Sequence, residues 1–79
     1  MDTIYLDDFF DQGLIKEKLF REKIEATPWD KYKDKKVLIK GCAKSPVPTW
    51  AYLIITAKLT SYAKSIYFGE PCSAIKIYN

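Results

Sequence analysis

The sequence predicts an α/β domain with a small three- to four-stranded, mostly parallel sheet and two helices. Two unbroken apolar runs, 37–39 and 66–68, are typical of parallel strands buried on both faces. The segment between them is long enough for the helical crossover that parallel neighbours require. A later run, 74–78, alternates apolar and polar side chains, which indicates an edge strand wet on one face. We expect the sheet core to include Leu38, Ile39, Ile66 and Phe68.

The first part of the chain predicts a short strand at 4–6 and a helix at 14–26. In the helical segment apolar residues recur at a spacing of four, and Glu17 and Arg21 form an opposite-charge pair at the same spacing. Pro28 ends this helix, because the residue before a proline is pushed towards extended geometry.

A polar connection at 29–36 holds two aromatic residues, Trp29 and Tyr32. Rings among lysines suit nucleic-acid contact, since bases stack on rings and phosphates attract cations. Asp30 and Asp34 interrupt the positive charge, however. We favour the alternative, in which the two rings fix the connection onto the core.

The second helix, predicted near 48–63, is strongly apolar, and Lys58 is its only charge after Trp50. Apolar side chains point in almost every direction round its axis, which is typical of a helix buried on more than one side. A single small sheet covers only one side, so we expect a homodimer that buries the other. The expected dimer interface consists of Trp50, Tyr52, Ile54 and Ile55.

Bulk composition limits the class of protein. Seventy-nine residues predict one domain, 1–79, which hides only about 60% of the surface that its unfolded chain exposes. An apolar fraction of 48% excludes a disordered chain, and a net charge of +3 with interspersed signs does not favour nucleic acid. The acidic start lacks a signal peptide, and the longest apolar run, 50–55, is too short to cross a membrane. We expect a cytoplasmic protein with reduced thiols.

Two cysteines offer a hypothesis for chemistry. Cys42 and Cys72 each follow one of the apolar strands, and the carboxyl ends of neighbouring parallel strands share one sheet edge, where ligands gather. A helix begins after Cys42 and Lys44 is near, so a thiolate would be favoured there. The alternative is that both cysteines are small buried apolar side chains, since the chain has no histidine and no C-x-x-C pair. Catalytic candidates under the thiol hypothesis are Cys42, Cys72 and Glu70.

The loop after the first buried strand also resembles an anion site at a helix start. The candidate ligand-binding residues are Cys42, Lys44 and Ser45. The glycine spacing of a phosphate loop is missing, and Pro46 and Pro48 remove backbone donors. We favour Ser45 as a helix cap with the two prolines in the first turn. No metal site or cofactor is expected, and the adjacent carboxylates of Asp7 and Asp8 indicate no acid–base pair.

Three stretches carry a family resemblance: Lys-Gly-Cys at 40–42, Pro-Val-Pro-Thr-Trp-Ala-Tyr at 46–52 and Phe-Gly-Glu-Pro-Cys-Ser at 68–73. Together they resemble a small uncharacterised bacterial family, a domain of unknown function. The resemblance implies that longer members contain two related halves and that this chain is similar to one half. It implies no activity, but faces that meet inside a longer member would be bare here, which also favours a two-fold homodimer.

Two classes of function remain open from the sequence. The first is a non-enzymatic interaction or structural domain that acts as a homodimer, with its ligand unidentified. The alternative is a thiol-dependent enzyme or redox protein that uses Cys42 with Cys72.

Overall fold

A computed structural model describes residues 1–9, 16–41 and 46–79. Its strands and helices run in the order β1 (Asp2–Tyr5), α1 (Glu17–Ala26), β2 (Lys36–Lys40), α2 (Thr49–Leu59), β3 (Ser65–Phe68) and β4 (Ile75–Tyr78). Short 3₁₀ turns lie at Leu6–Phe9, Trp29–Tyr32 and Pro71–Ser73. The α/β class with two helices and a small sheet is therefore confirmed.

The four strands lie side by side in chain order. β1, β2 and β3 are parallel, whereas β4 runs antiparallel to β3 and forms one edge of the sheet. One row of the register joins all four strands through Ile4, Ile39, Phe68 and Ile75. The predictions of a mostly parallel sheet and of a last strand at its edge are both confirmed.

Both helices pack on the same face of the sheet. Crossovers of one hand produce this arrangement whenever the strand order advances steadily in one direction. The buried cluster between the layers joins Ile4, Val37, Ile39 and Ile66 of the sheet to Phe20 and Ile24 of α1 and to Ala51, Ile55 and Leu59 of α2. Aromatic rings connect the helices, since Phe20 meets Trp50 edge-on at 5.5 Å between centroids.

The expectation that the strands are covered on both faces is wrong for helical cover. Leu38 is 1% exposed, but it stands in register with Thr3 and Tyr67 on the face that neither α1 nor α2 covers. Its neighbours along β2 on that face are Lys36 and Lys40. The unbroken apolar run in β2 thus places two side chains under the helices and one on the other side.

Phe68 is a second correction, because it is only partly buried, unlike Leu38, Ile39 and Ile66. It ends β3 beside the edge strand, where fewer neighbours surround it.

The connection after α1 closes the opposite side of the sheet. α1 ends at Ala26 with Thr27 already extended, as predicted from the following proline. Trp29 and Tyr32 are buried in the core, which confirms that the rings fix this connection. The Trp29 indole N–H donates to the carbonyl of Ile24 at 2.7 Å. Lys31 and Tyr32 share a cleft with Thr3 and Tyr5 and so border β1, the other edge strand.

α2 begins later and ends earlier than predicted. Pro48 has an extended backbone, with φ −59° and ψ 142°, and the helix starts at Thr49. Pro46 and Pro48 therefore precede the helix instead of lying in its first turn, while the predicted cap Ser45 lies outside the described residues. At the other end the helix gives way after Leu59 to a turn, in which Tyr62 and Ala63 both donate to the Leu59 carbonyl.

None of the helices in the described ranges is long and apolar enough to span a bilayer.

Candidate functional site at the carboxyl ends of the parallel strands

The carboxyl ends of β1, β2 and β3 surround a cleft of about 410 Å³. Parallel strands bring their carboxyl ends to one edge of the sheet, where ligands of α/β proteins usually bind. Each strand contributes its end and the residues that follow, and α2 lies above them. The lining residues are Tyr5, Asp7, Lys40, Gly41, Tyr52, Phe68, Gly69 and Glu70.

Lys40 is the central charged group of this cleft. Its ammonium lies 3.3 Å from a carboxylate oxygen of Glu70 and 5.8 Å from the ring centroid of Tyr5. The side chain therefore links the ends of β1 and β3 across the end of β2. A polar ligand that enters the cleft would compete with Glu70 for this ammonium.

Tyr52 of α2 closes the cleft from the helix side. Its ring meets Phe68 edge-on, with 5.0 Å between the centroids. A Cβ atom added at Gly41 would overlap the Tyr52 hydroxyl, so the backbone after β2 approaches this ring more closely than any larger residue allows. Gly41 is thus required for steric reasons.

Gly69 shapes the opposite wall. It has φ 120°, which side chains rarely adopt, and its N–H donates to the Ile39 carbonyl at 3.2 Å. This turn directs the chain from β3 to Glu70 and then into the Pro71–Ser73 turn.

Several residues predicted from the sequence for chemistry fall outside this picture. Cys42, Lys44 and Ser45 lie outside the described residues. Cys72 is an exposed free thiol in the Pro71–Ser73 turn and does not line the cleft. Only Glu70 takes its predicted place, so the thiol hypothesis stays a prediction.

The chemistry that the described lining offers is binding. It includes two carboxylates, one ammonium and two phenol hydroxyls, but no cysteine, serine or threonine. In the described part of the chain no cluster of three histidine, cysteine, aspartate or glutamate side chains could hold a metal ion. Sequence reasoning missed Tyr5, Asp7 and Lys40, although the last residues of parallel strands are the positional signal that points to them.

A second surface lies between α2 and β4. A groove of about 290 Å³ is lined almost entirely by apolar atoms. Its residues are Tyr52, Leu53, Thr56, Phe68 and Ile77. Leu53 is 64% exposed and Ile77 is 51% exposed, and Ile75 on the same strand is 66% exposed. We call this set, with Ile75, the edge surface.

The predicted interface residues of α2 are distributed differently from the expectation. Ile55 is fully buried in the core of one chain and has no surface to offer a partner. Trp50, Tyr52 and Ile54 are partly buried and pack against that core. Leu53, which was not among the predicted residues, is the most exposed apolar side chain of the helix. The homodimer itself stays a prediction.

Comparison with protein families gives one match, to the DUF2480 family, described as proteins of unknown function. The family model covers residues 3–79, so the chain belongs to this family. No curated protein matches the chain. No solved structure matches it either.

Proposed function

We propose that this DUF2480 member is a non-enzymatic interaction domain that forms a homodimer through its edge surface. The observation that carries the proposal is the exposure of Leu53, Ile75 and Ile77 around one apolar groove. A contiguous exposed apolar patch on a small domain favours a protein partner.

A second copy suits this surface because β4 is an edge strand. Two β4 strands that pair antiparallel about a two-fold axis would satisfy each other's free backbone groups. Residues opposite one another in such a pair point to the same face, so Ile75 and Ile77 of both copies would adjoin. Leu53 of each α2 would then extend the contact above the strands.

The charges near this surface permit such a contact. None of the groove residues is charged, and Lys76 of β4 lies on the opposite face, with its ammonium 5.8 Å from the Tyr67 ring centroid. Two copies could therefore meet without placing like charges against each other. Burying each large apolar side chain contributes about 1.5 to 3 kcal/mol, which helps offset the entropy lost on association.

Sedimentation equilibrium with matched variants tests the proposal. Ile77→Lys places a charge on the β4 edge, and Tyr5→Lys places the same charge on the β1 edge at nearly equal exposure, 51% against 49%. At micromolar concentration we expect the wild type and Tyr5→Lys to sediment as dimers. Ile77→Lys should sediment as a folded monomer near 9.2 kDa.

A wild type that sediments as a folded 9.2 kDa monomer would reject the homodimer. A dimer that survives both Ile77→Lys and Leu53→Lys would reject this surface. Circular dichroism of each variant shows whether loss of the dimer is separate from loss of the fold.

A further inference from the structure

The face of the sheet opposite the helices has a distinct composition. The register places Tyr5, Lys36, Leu38, Lys40, Tyr67 and Lys76 on it. We call this the open face. Every charged strand residue on it is a lysine, although lysines and acids alternate along the sequence. The pleat of the sheet thus separates charges that the linear sequence mixes.

The lysines are available to an anionic ligand. Within the described residues, neither Lys36 nor Lys76 pairs with a carboxylate. Lys40 pairs with Glu70, which lies beyond the end of β3 at the margin of the face.

Each tyrosine of the open face has an ammonium beside it. Lys40 lies 5.8 Å from the ring centroid of Tyr5, and Lys76 lies 5.8 Å from that of Tyr67. The two tyrosines stand on strands separated by β2, two strand spacings or about 10 Å apart. Leu38 lies between them as a flat apolar floor.

We infer that the open face binds single-stranded nucleic acid. Bases would stack on Tyr5 and Tyr67, while Lys36, Lys40 and Lys76 would contact the phosphates. Stacking rings set in a cationic surface are the general means of binding a single strand without sequence preference. A membrane surface fits less well, because the one aliphatic side chain of the face is fully buried and cannot insert into lipid.

The inference concerns one copy of the chain and does not require the homodimer. Its test is fluorescence anisotropy with labelled oligo(dT) and oligo(U) of equal length, at low and at moderate salt. One variant combines Lys36→Gln, Lys40→Gln and Lys76→Gln. The control combines Lys18→Gln, Lys33→Gln and Lys64→Gln, so that each variant loses three charges and its formal net charge falls from +3 to 0.

We expect saturable binding that weakens with salt, with a slope near −2 in log K against log salt for about three phosphate contacts on a single strand. The open-face variant should lose about tenfold or more in affinity, and the control much less. Tyr67→Leu should lose about fivefold or more, since stacking on a ring contributes about 1 to 3 kcal/mol per base, whereas Tyr67→Phe should retain affinity. A preference between the two oligonucleotides would identify RNA or DNA as the ligand.

Absence of saturable binding at low salt would overturn the inference. Equal losses in the two lysine variants would also overturn it, because only net charge would then matter. The same holds if vesicles of phosphatidylserine, and not the oligonucleotides, bind with the open-face dependence. Ile77→Lys should bind a short oligonucleotide as the wild type does, which separates this inference from the dimer.

Discussion

The helix side of the sheet and the open face are built from the same strands but differ in nearly every side chain. β2 presents Val37 and Ile39 to the helices, whereas it presents Lys36, Leu38 and Lys40 to the other side. One apolar face is enough to hold two helices, and it carries most of the buried residues of the domain. The open face is therefore less constrained by folding, and its lysines and tyrosines call for another explanation.

The largest expected difference between the two faces is in stability. Phe20 is fully buried on the helix side and meets Phe9 and Trp50 edge-on at 5.4 and 5.5 Å. Phe20→Ala should lower the free energy of unfolding by about 3 to 5 kcal/mol, because it leaves a cavity. Tyr67→Ala, a truncation of similar size on the open face, should cost clearly less. Urea denaturation of both variants measures the difference, and equal costs would mean that the open face is as much a part of the core.

A smaller effect is expected where the helix side meets the carboxyl ends of the strands. Gly41→Ala should lower the free energy of unfolding by about 1 to 3 kcal/mol, since its methyl group would overlap the Tyr52 hydroxyl. Tyr52→Phe removes that hydroxyl, so Gly41→Ala should cost much less in its presence.

A double-mutant cycle in urea gives the coupling between the two positions. Strictly additive costs would show that the close approach of Gly41 to Tyr52 is not what limits residue size there.

The smallest expected effect is from the lysines of the open face. Replacing Lys36, Lys40 and Lys76 together by glutamine should change the free energy of unfolding by less than about 1 kcal/mol. The only described ion pair lost is between Lys40 and Glu70 at the surface, where such pairs contribute about 0 to 1 kcal/mol. Thermal unfolding with circular dichroism checks this. A large loss of stability would assign the lysines to the fold instead of to a ligand.

Much of the fold could be predicted because its signals are local. Unbroken apolar runs identified β2 and β3, alternation identified β4, and Pro28 marked the end of α1. The face on which each helix packs could not be predicted, because it depends on strand order, which local patterns do not encode. That missing order is why burial of the β2 run was expected under helices on both sides, when only Leu38 lies on the other side.

The candidate site was harder to predict. Glu70 was expected at the carboxyl edge because it directly follows β3. The contact of Gly41 with Tyr52 depends on how α2 crosses the strand ends, and the pairing of Lys40 with Glu70 depends on β2 and β3 being neighbours. Both are tertiary facts that spacing in the sequence does not contain.

The two edges of the sheet also set an upper limit on assembly size. The β1 edge is bordered by Lys31 and Tyr32, and Asp2 on it forms an ion pair with Lys35 at 3.6 Å, whereas β4 has exposed apolar residues. Charged and bordered edges resist the addition of further strands. A sheet that can grow at one edge only reaches a closed pair after a single union. By this geometry the domain would form pairs of defined stoichiometry and would not polymerise into a fibre, even at high concentration.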